Sequence, residues 1–223
     1  MFLLAIDTSG KHGSLALAQG ALDGTCNVLE VVPLEGGTFS AQLIPQAASL
    51  LARHGCTKQD IGAFAAASGP GSFTGLRVGL AAVKALAEVL HKPIVAVSLL
   101  EAVAVASRAR GKTIAALDAG RNEIYAAEYD AGEFVKLLSE RLVTQEEFLG
   151  LAEGYPVVTP NANIANLARG AGLAVHEIAH PRSDAIARIG WKKILTGETI
   201  STEALDANYI RRSDAEIFSK PNR

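Results

Sequence analysis

The sequence predicts an α/β protein made of two copies of one βββαβα unit. Short apolar runs of strand length alternate with runs whose apolar residues recur every three or four positions. Two of the strand-like runs, Leu3–Asp7 and Ile114–Asp118, end in an aspartate followed by a turn. After each of them the same order of elements follows.

In the first half, Ser14–Ala18 and Val28–Leu34 read as strands, Ser40–Arg53 as a helix, Ile61–Ala67 as a strand and Leu76–Leu90 as a helix. In the second half the matching runs are Glu123–Tyr129, Val135–Val143, Thr144–Ala152, Pro156–Thr159 and Ile164–Arg169. The boundary falls between Val97 and Lys112, which gives domains of 1–100 and 101–223. Hydrophobic residues make up 49% of the 223 positions, enough for a sizeable core.

The charge balance is 21 basic against 23 acidic residues. A chain that holds nucleic acid unaided usually carries a basic surplus, so this one is not expected to. Cys26 and Cys56 give no disulfide framework and read as reduced thiols of a cytoplasmic protein. Met1–Ile6 is too short for a signal peptide, and the longest apolar runs carry charges such as Lys84 and Glu88. No membrane segment is expected.

Ser68-Gly69-Pro70-Gly71-Ser72-Phe73-Thr74-Gly75 joins a strand to a helix. Its glycine spacing is one residue longer than the dinucleotide fingerprint, and no Gly-Lys-Ser/Thr follows to make a P-loop. The helix after it carries Leu76, Leu80, Val83, Ala87 and Leu90 on one face, with a small-residue stripe of Gly75, Gly79, Ala82 and Ala85 beside it. The earlier helix shows Leu43, Ala47, Leu50 and Leu51. A helix apolar on more than one face is either deeply buried or set against a partner.

The duplicated unit resembles the actin, hexokinase and Hsp70 group. That resemblance implies an aspartate from each half facing a cleft beside Mg-nucleotide, and Asp7 and Asp118 fall at those two places. The plain alternative is that each simply begins a turn.

Ala5-Ile6-Asp7-Thr8-Ser9, Ser68 to Gly79, Leu117-Asp118-Ala119-Gly120-Arg121-Asn122-Glu123-Ile124-Tyr125 and Tyr209-Ile210-Arg211 together resemble the bacterial TsaB (YeaZ) family of tRNA threonylcarbamoyladenosine synthesis. The likeness runs from end to end. One departure is Phe39-Ser40, where the family often has His-Ser.

The resemblance implies a non-catalytic subunit of a complex that modifies adenosine 37 of tRNAs reading codons that start with A. It would bind and activate TsaD, with TsaE as a third member, and would meet tRNA through the complex. In TsaD two histidines bind a metal; the corresponding positions here are Leu99 and Val103, which offer no donor atom. No catalytic residue, metal or cofactor is expected, beyond weak or vestigial nucleotide binding at Asp7 and Asp118. Pro160, in Thr159-Pro160-Asn161-Ala162-Asn163, removes a backbone donor where a base would be cradled.

The partner interface is expected at Leu43, Ala47, Leu50, Gly75, Gly79, Ala82, Val83 and Leu86. These would pack with the same helices of TsaD as a four-helix bundle, or with a second copy as an isologous dimer, burying on the order of 1,600 Å². On that reading Gly79→Arg or Ala82→Glu abolishes binding and leaves the fold intact.

Two other readings are a small-molecule kinase using Asp7 and Asp118, and a zinc peptidase using His176-Glu177-Ile178-Ala179-His180. The second needs a continuous helix, and Pro181 directly after the motif argues against one. His12, His54 and His91 read as turn or helix-end residues, and Ser72 and Thr74 as caps of the Leu76 helix. Arg211, Arg212, Lys220 and Arg223 form a small basic tail, read as solvated or as a contact with tRNA or a partner.

Overall fold

The computed structural model describes residues 1–107, 110–132, 135–208 and 210. The basic tail residues Arg211, Arg212, Lys220 and Arg223, and Tyr209 of the family-like tail, lie outside the described residues.

The chain forms two compact units. The first holds β1 (Phe2–Asp7), β2 (Gly13–Gly20), β3 (Cys26–Leu34), α1 (Phe39–Arg53), β4 (Ile61–Gly69), α2 (Phe73–Leu90) and β5 (Ile94–Ser98). Its sheet has the order β3-β2-β1-β4-β5. The first three strands are antiparallel neighbours, and β4 and β5 run parallel to β1. Parallel strands need crossovers, which α1 and α2 supply.

The second unit repeats the pattern with β6 (Gly111–Gly120), β7 (Glu123–Ala131), β8 (Val135–Thr144), α4 (Gln145–Leu151), β9 (Val157–Thr159), α5 (Ala162–Gly170) and β10 (Val175–Glu177), in sheet order β10-β9-β6-β7-β8. Between the two runs α3 (Leu99–Ala106) carries the junction, and the units divide between Ala102 and Val103.

The expected second domain, 101–223, needs correcting. Residues 180–207 belong to the first unit, including α6 (Ser183–Leu195). The reason lies in the strands. Leu4, Ile6, Leu15, Leu17, Phe64 and Ala66 face the cluster under α1 and α2. Strand side chains alternate between faces, so Ala5, Ala16, Ala18, Ala63, Ala65 and Ala67 line the other side, and all are buried. A surface of alanines admits a helix closely.

Gly190 of α6 lies so near that a Cβ on it would stand 2.7 Å from the Ala65 Cβ. Trp191 fills the space that a side chain on Gly20 would need, and its Nε1 donates to the Ala21 carbonyl at 3.1 Å. Lys193 of α6 donates to Glu101 Oε2 at 2.6 Å.

After α6 the chain crosses the end of the first sheet as a strap. Ile200 bridges to Ile94, Leu205 is fully buried, and Thr202 Oγ1 donates to Glu88 Oε2 of α2 at 2.7 Å. No helix among the described residues is long and apolar enough to cross a membrane. Both cysteines are free thiols.

Candidate functional site

Asp7 ends β1 and is only 4% exposed. Its Oδ1 accepts hydrogen bonds from the Ser9 N–H at 2.9 Å and from the Ser9 hydroxyl. Burial pushes its pKa above the ordinary 3.8, a rise that the Ser9 bonds and the charge of His180 partly offset. The side chain is thus engaged in a local turn inside the first unit.

Asp118 ends the regular part of β6 in an exposed position. Its carboxylate accepts from the Gly120 N–H at 2.7 Å and from Asn163 Nδ2 at 3.0 Å, and its own N–H donates to Asn161 Oδ1 at 3.1 Å. It borders an open pocket of about 160 Å³ with Arg121, Gln145 and Asn163. That is below the several hundred Å³ that a drug-sized ligand fills. A second open pocket, of about 470 Å³, lies in the first unit beside Lys11, His12, Phe39, Ser40 and Val78.

Leu99 and Val103 are buried hydrocarbon. Among the described residues no three His, Cys, Asp or Glu side chains converge as metal ligands. His176 and Glu177 lie on the short strand β10, and Glu177 pairs with Arg169 at 2.9 Å. His180 lies in loop, its Nδ1 3.0 Å from the Pro181 carbonyl oxygen. The helix that the zinc reading needs is not formed.

The glycine loop serves close packing within the unit. A Cβ on Gly71 would stand 2.4 Å from the Ser9 carbonyl oxygen, one on Gly75 2.0 Å from that of Thr8, and one on Gly79 2.3 Å from Thr8 Oγ1. The Thr8 hydroxyl donates to the Gly75 carbonyl at 2.7 Å. Ser72 caps α2, its side chain accepting from the Gly75 N–H at 3.3 Å. The glycines therefore let α2 press on the end of β1.

This corrects most of the expected interface. Leu43, Ala47, Leu50, Gly75, Gly79 and Val83 are buried in the chain's own core, and only Ala82 and Leu86 are half-exposed. Gly79→Arg would not leave the fold intact, because any side chain there strikes Thr8.

The face open to solvent lies on the opposite side of the same helices. On α1 it comprises Ala41, Ile44, Pro45, Ala48 and Ala52, and on α2 Ala81, Ala85 and Val89. Ile44 is 48% exposed and Val89 71%. With 3.6 residues per turn, Ala81 and Ala85 sit roughly opposite Val83 and Ala87. The phase of the helix held this signal: once Leu76, Leu80 and Val83 are assigned to the core, the outward face is set.

Comparison with known proteins accords with this fold. The family model described as TsaD, tRNA N6-adenosine threonylcarbamoyltransferase, matches residues 31–209. The tRNA threonylcarbamoyladenosine biosynthesis protein TsaB of Escherichia coli is 31% identical over 96% of each chain. The chain belongs to the TsaB family. Its relative in Bacillus subtilis, also named TsaB, is 28% identical and covers 97% of this chain and 96% of its own. Among solved structures, YeaZ from Pseudomonas aeruginosa superposes with a TM-score of 0.75 at 24% identity, covering 93% of this chain and 99% of that one. That structure speaks for the fold alone, an α/β chain with two five-stranded mixed sheets of matching strand order. Membership places the chain in tRNA threonylcarbamoyladenosine biosynthesis.

Proposed function

We propose that this chain is the non-catalytic subunit that binds and activates TsaD in forming N6-threonylcarbamoyladenosine at position 37 of tRNAs reading codons that start with A. The observation that carries this reading is the solvent-facing side of α1 and α2, with Ile44 and Val89 exposed among small residues. Exposed apolar surface of this kind marks an interaction site. The family match to TsaD supplies a partner of the same fold, able to present corresponding helices. Without TsaD the same face takes a second copy.

Hydrocarbon at Leu99 and Val103, where TsaD has its metal ligands by resemblance, supports a role without chemistry of its own. So does Asp7, held in a buried turn. The working complex is cytoplasmic, includes TsaE, and meets tRNA through its assembled surface. Nucleotide binding by the isolated chain is weak or vestigial.

The test is tRNA modification by the host's TsaD and TsaE with a threonylcarbamoyl donor supplied. Modification should require this chain, and Ala85→Arg should abolish both co-purification with TsaD and modification. Full activity without the chain, or full co-purification of the variant, would refute the reading. The kinase alternative predicts tight ATP-Mg binding by the chain alone, and a flat calorimetric trace removes it.

A further inference from the structure

We infer that the first turn of α6 is an autoinhibitory lid over Asp7, latched by Ser14, which shuts the Asp7 carboxylate off from ligands. This closure is independent of the α1/α2 face proposed above, and it supplies a cause for weak nucleotide binding by the chain.

Asp7 and Ser14 are direct partners in the β1–β2 ladder, so their side chains share one face of the sheet. Leu4, Ile6, Leu15 and Leu17 belong to the cluster under α1 and α2. Side chains alternate along a strand, so Asp7 and Ser14 lie on the opposite face, the one that α6 covers. There α6 meets the sheet with its amino end. The Ser183 N–H donates to Ser14 Oγ at 3.0 Å, and Ser183 is 0% exposed. Its hydroxyl is buried without a hydrogen-bond partner among the described residues. His180, just ahead of this turn, lies near enough for its charge to lower the Asp7 pKa.

Helices favour a Ser, Thr, Asp or Asn at their start, whose side chain takes up a free N–H of the first turn. α6 begins on Arg182, whose side chain makes no such bond, and Ser14 supplies the acceptor from β2 instead. A carboxylate is also a favourable neighbour for the amino end of a helix. The first turn is therefore held by the sheet rather than by its own sequence. The carboxyl end is held separately, by Trp191 on the Ala21 carbonyl and Lys193 on Glu101. Loss of the Ser14 acceptor thus loosens the end over Asp7 and leaves the far end seated.

Carboxyl labelling with a water-soluble carbodiimide and glycine ethyl ester, read by mass spectrometry, tests this. Rates at Asp7 and at exposed Asp118 are each normalised to the urea-unfolded chain, and thermal unfolding of each variant reports that it is folded. In the parent, Asp7 should label at least about tenfold more slowly than Asp118. Ser14→Ala should raise the Asp7 rate about fivefold or more, the effect of losing one cap, and leave Asp118 unchanged. Ala185→Gly weakens the same turn without touching β2 and should also raise the Asp7 rate. Ser183→Pro removes the N–H that Ser14 serves, and proline suits the first helical position after the extended Arg182. In that background Ser14→Ala should add no more than about twofold.

Asp7 labelled in the parent as fast as Asp118, or folded Ser14→Ala and Ala185→Gly proteins labelled at the parent rate, overturns the lid. A Ser14→Ala effect just as large in the Ser183→Pro background overturns the latch.

Discussion

Gly79→Ala should destabilise the first unit by about 2 kcal/mol, although alanine is the better helix former. The new Cβ would stand 2.3 Å from Thr8 Oγ1 and 3.5 Å from Thr8 Cβ. The hydroxyl is therefore the obstacle, not the methyl-bearing carbon. It cannot simply rotate, because it holds the Gly75 carbonyl at 2.7 Å inside a buried region. Overpacking of this kind costs about 1–3 kcal/mol. Breaking the hydrogen bond adds about 0.5–1.5 kcal/mol. The helix gains about 1 kcal/mol from losing a glycine, and the balance stays unfavourable.

The partner variant Thr8→Ala removes the obstacle, so Gly79→Ala in that background should be neutral or slightly stabilising. The cycle of four proteins, unfolded in urea and monitored through Trp191, should show a coupling of about 2 kcal/mol. A Gly79→Ala protein as stable as the parent, or a coupling near zero, would refute the claim that this glycine serves contact with Thr8.

Asp7 makes the first unit pH-sensitive. Its pKa is raised in the folded state by burial, so its favourable contribution is fully present below the unfolded value of 3.8 and is lost as pH rises through the folded value. Asp7→Asn keeps an acceptor for Ser9 and should flatten the fall in stability on the alkaline side of 3.8, measured by urea midpoints from acid to neutral pH; unchanged slopes would count against a raised pKa. Gly190→Leu should lift α6 from Ala65, where even a Cβ stands at 2.7 Å, and shift Trp191 emission to longer wavelength while lowering the melting temperature. An unshifted spectrum would mean that α6 is not held by that close approach.

Most of the fold was legible from the sequence because its strands and helices differ in period. The run Ser40–Arg53 begins one residue earlier in the structure, at Phe39, and Leu76–Leu90 starts at Phe73 because Ser72 provides the cap. The return of α6 to the first unit was not read, since nothing local in Ser183–Leu195 names the sheet it covers. Its signal was indirect: a first-half sheet with one face of alanines and a Gly20 opposite the sole tryptophan. The interface residues were misplaced for a related reason. Leu43, Leu50 and Val83 are apolar and buried, and hydrophobicity alone does not say whether a partner or the chain's own sheet covers them. The glycines misled in the same way, because Gly75 and Gly79 promise close approach without saying to what.

The placement of α6 also constrains where a partner can bind the first unit. A sheet has two faces, and α6 covers one at a distance set by Gly190 and Gly20, too close to admit anything else. The other face lies under α1 and α2, whose inner residues close the core, and Gly75 and Gly79 of α2 are set against Thr8. The strap from Ile200 to Leu205 is seated against β5 and the last turns of α2. Among the described residues, the outer side of α1 and α2 is apolar and uncovered, bordered by Arg77 and Glu88. A partner that gains from burying hydrocarbon on this unit is therefore directed to Ile44, Ala48, Ala81, Ala85 and Val89. Substitutions there should affect association while the melting temperature holds, whereas substitutions at Leu43 or Val83 should lower the melting temperature first.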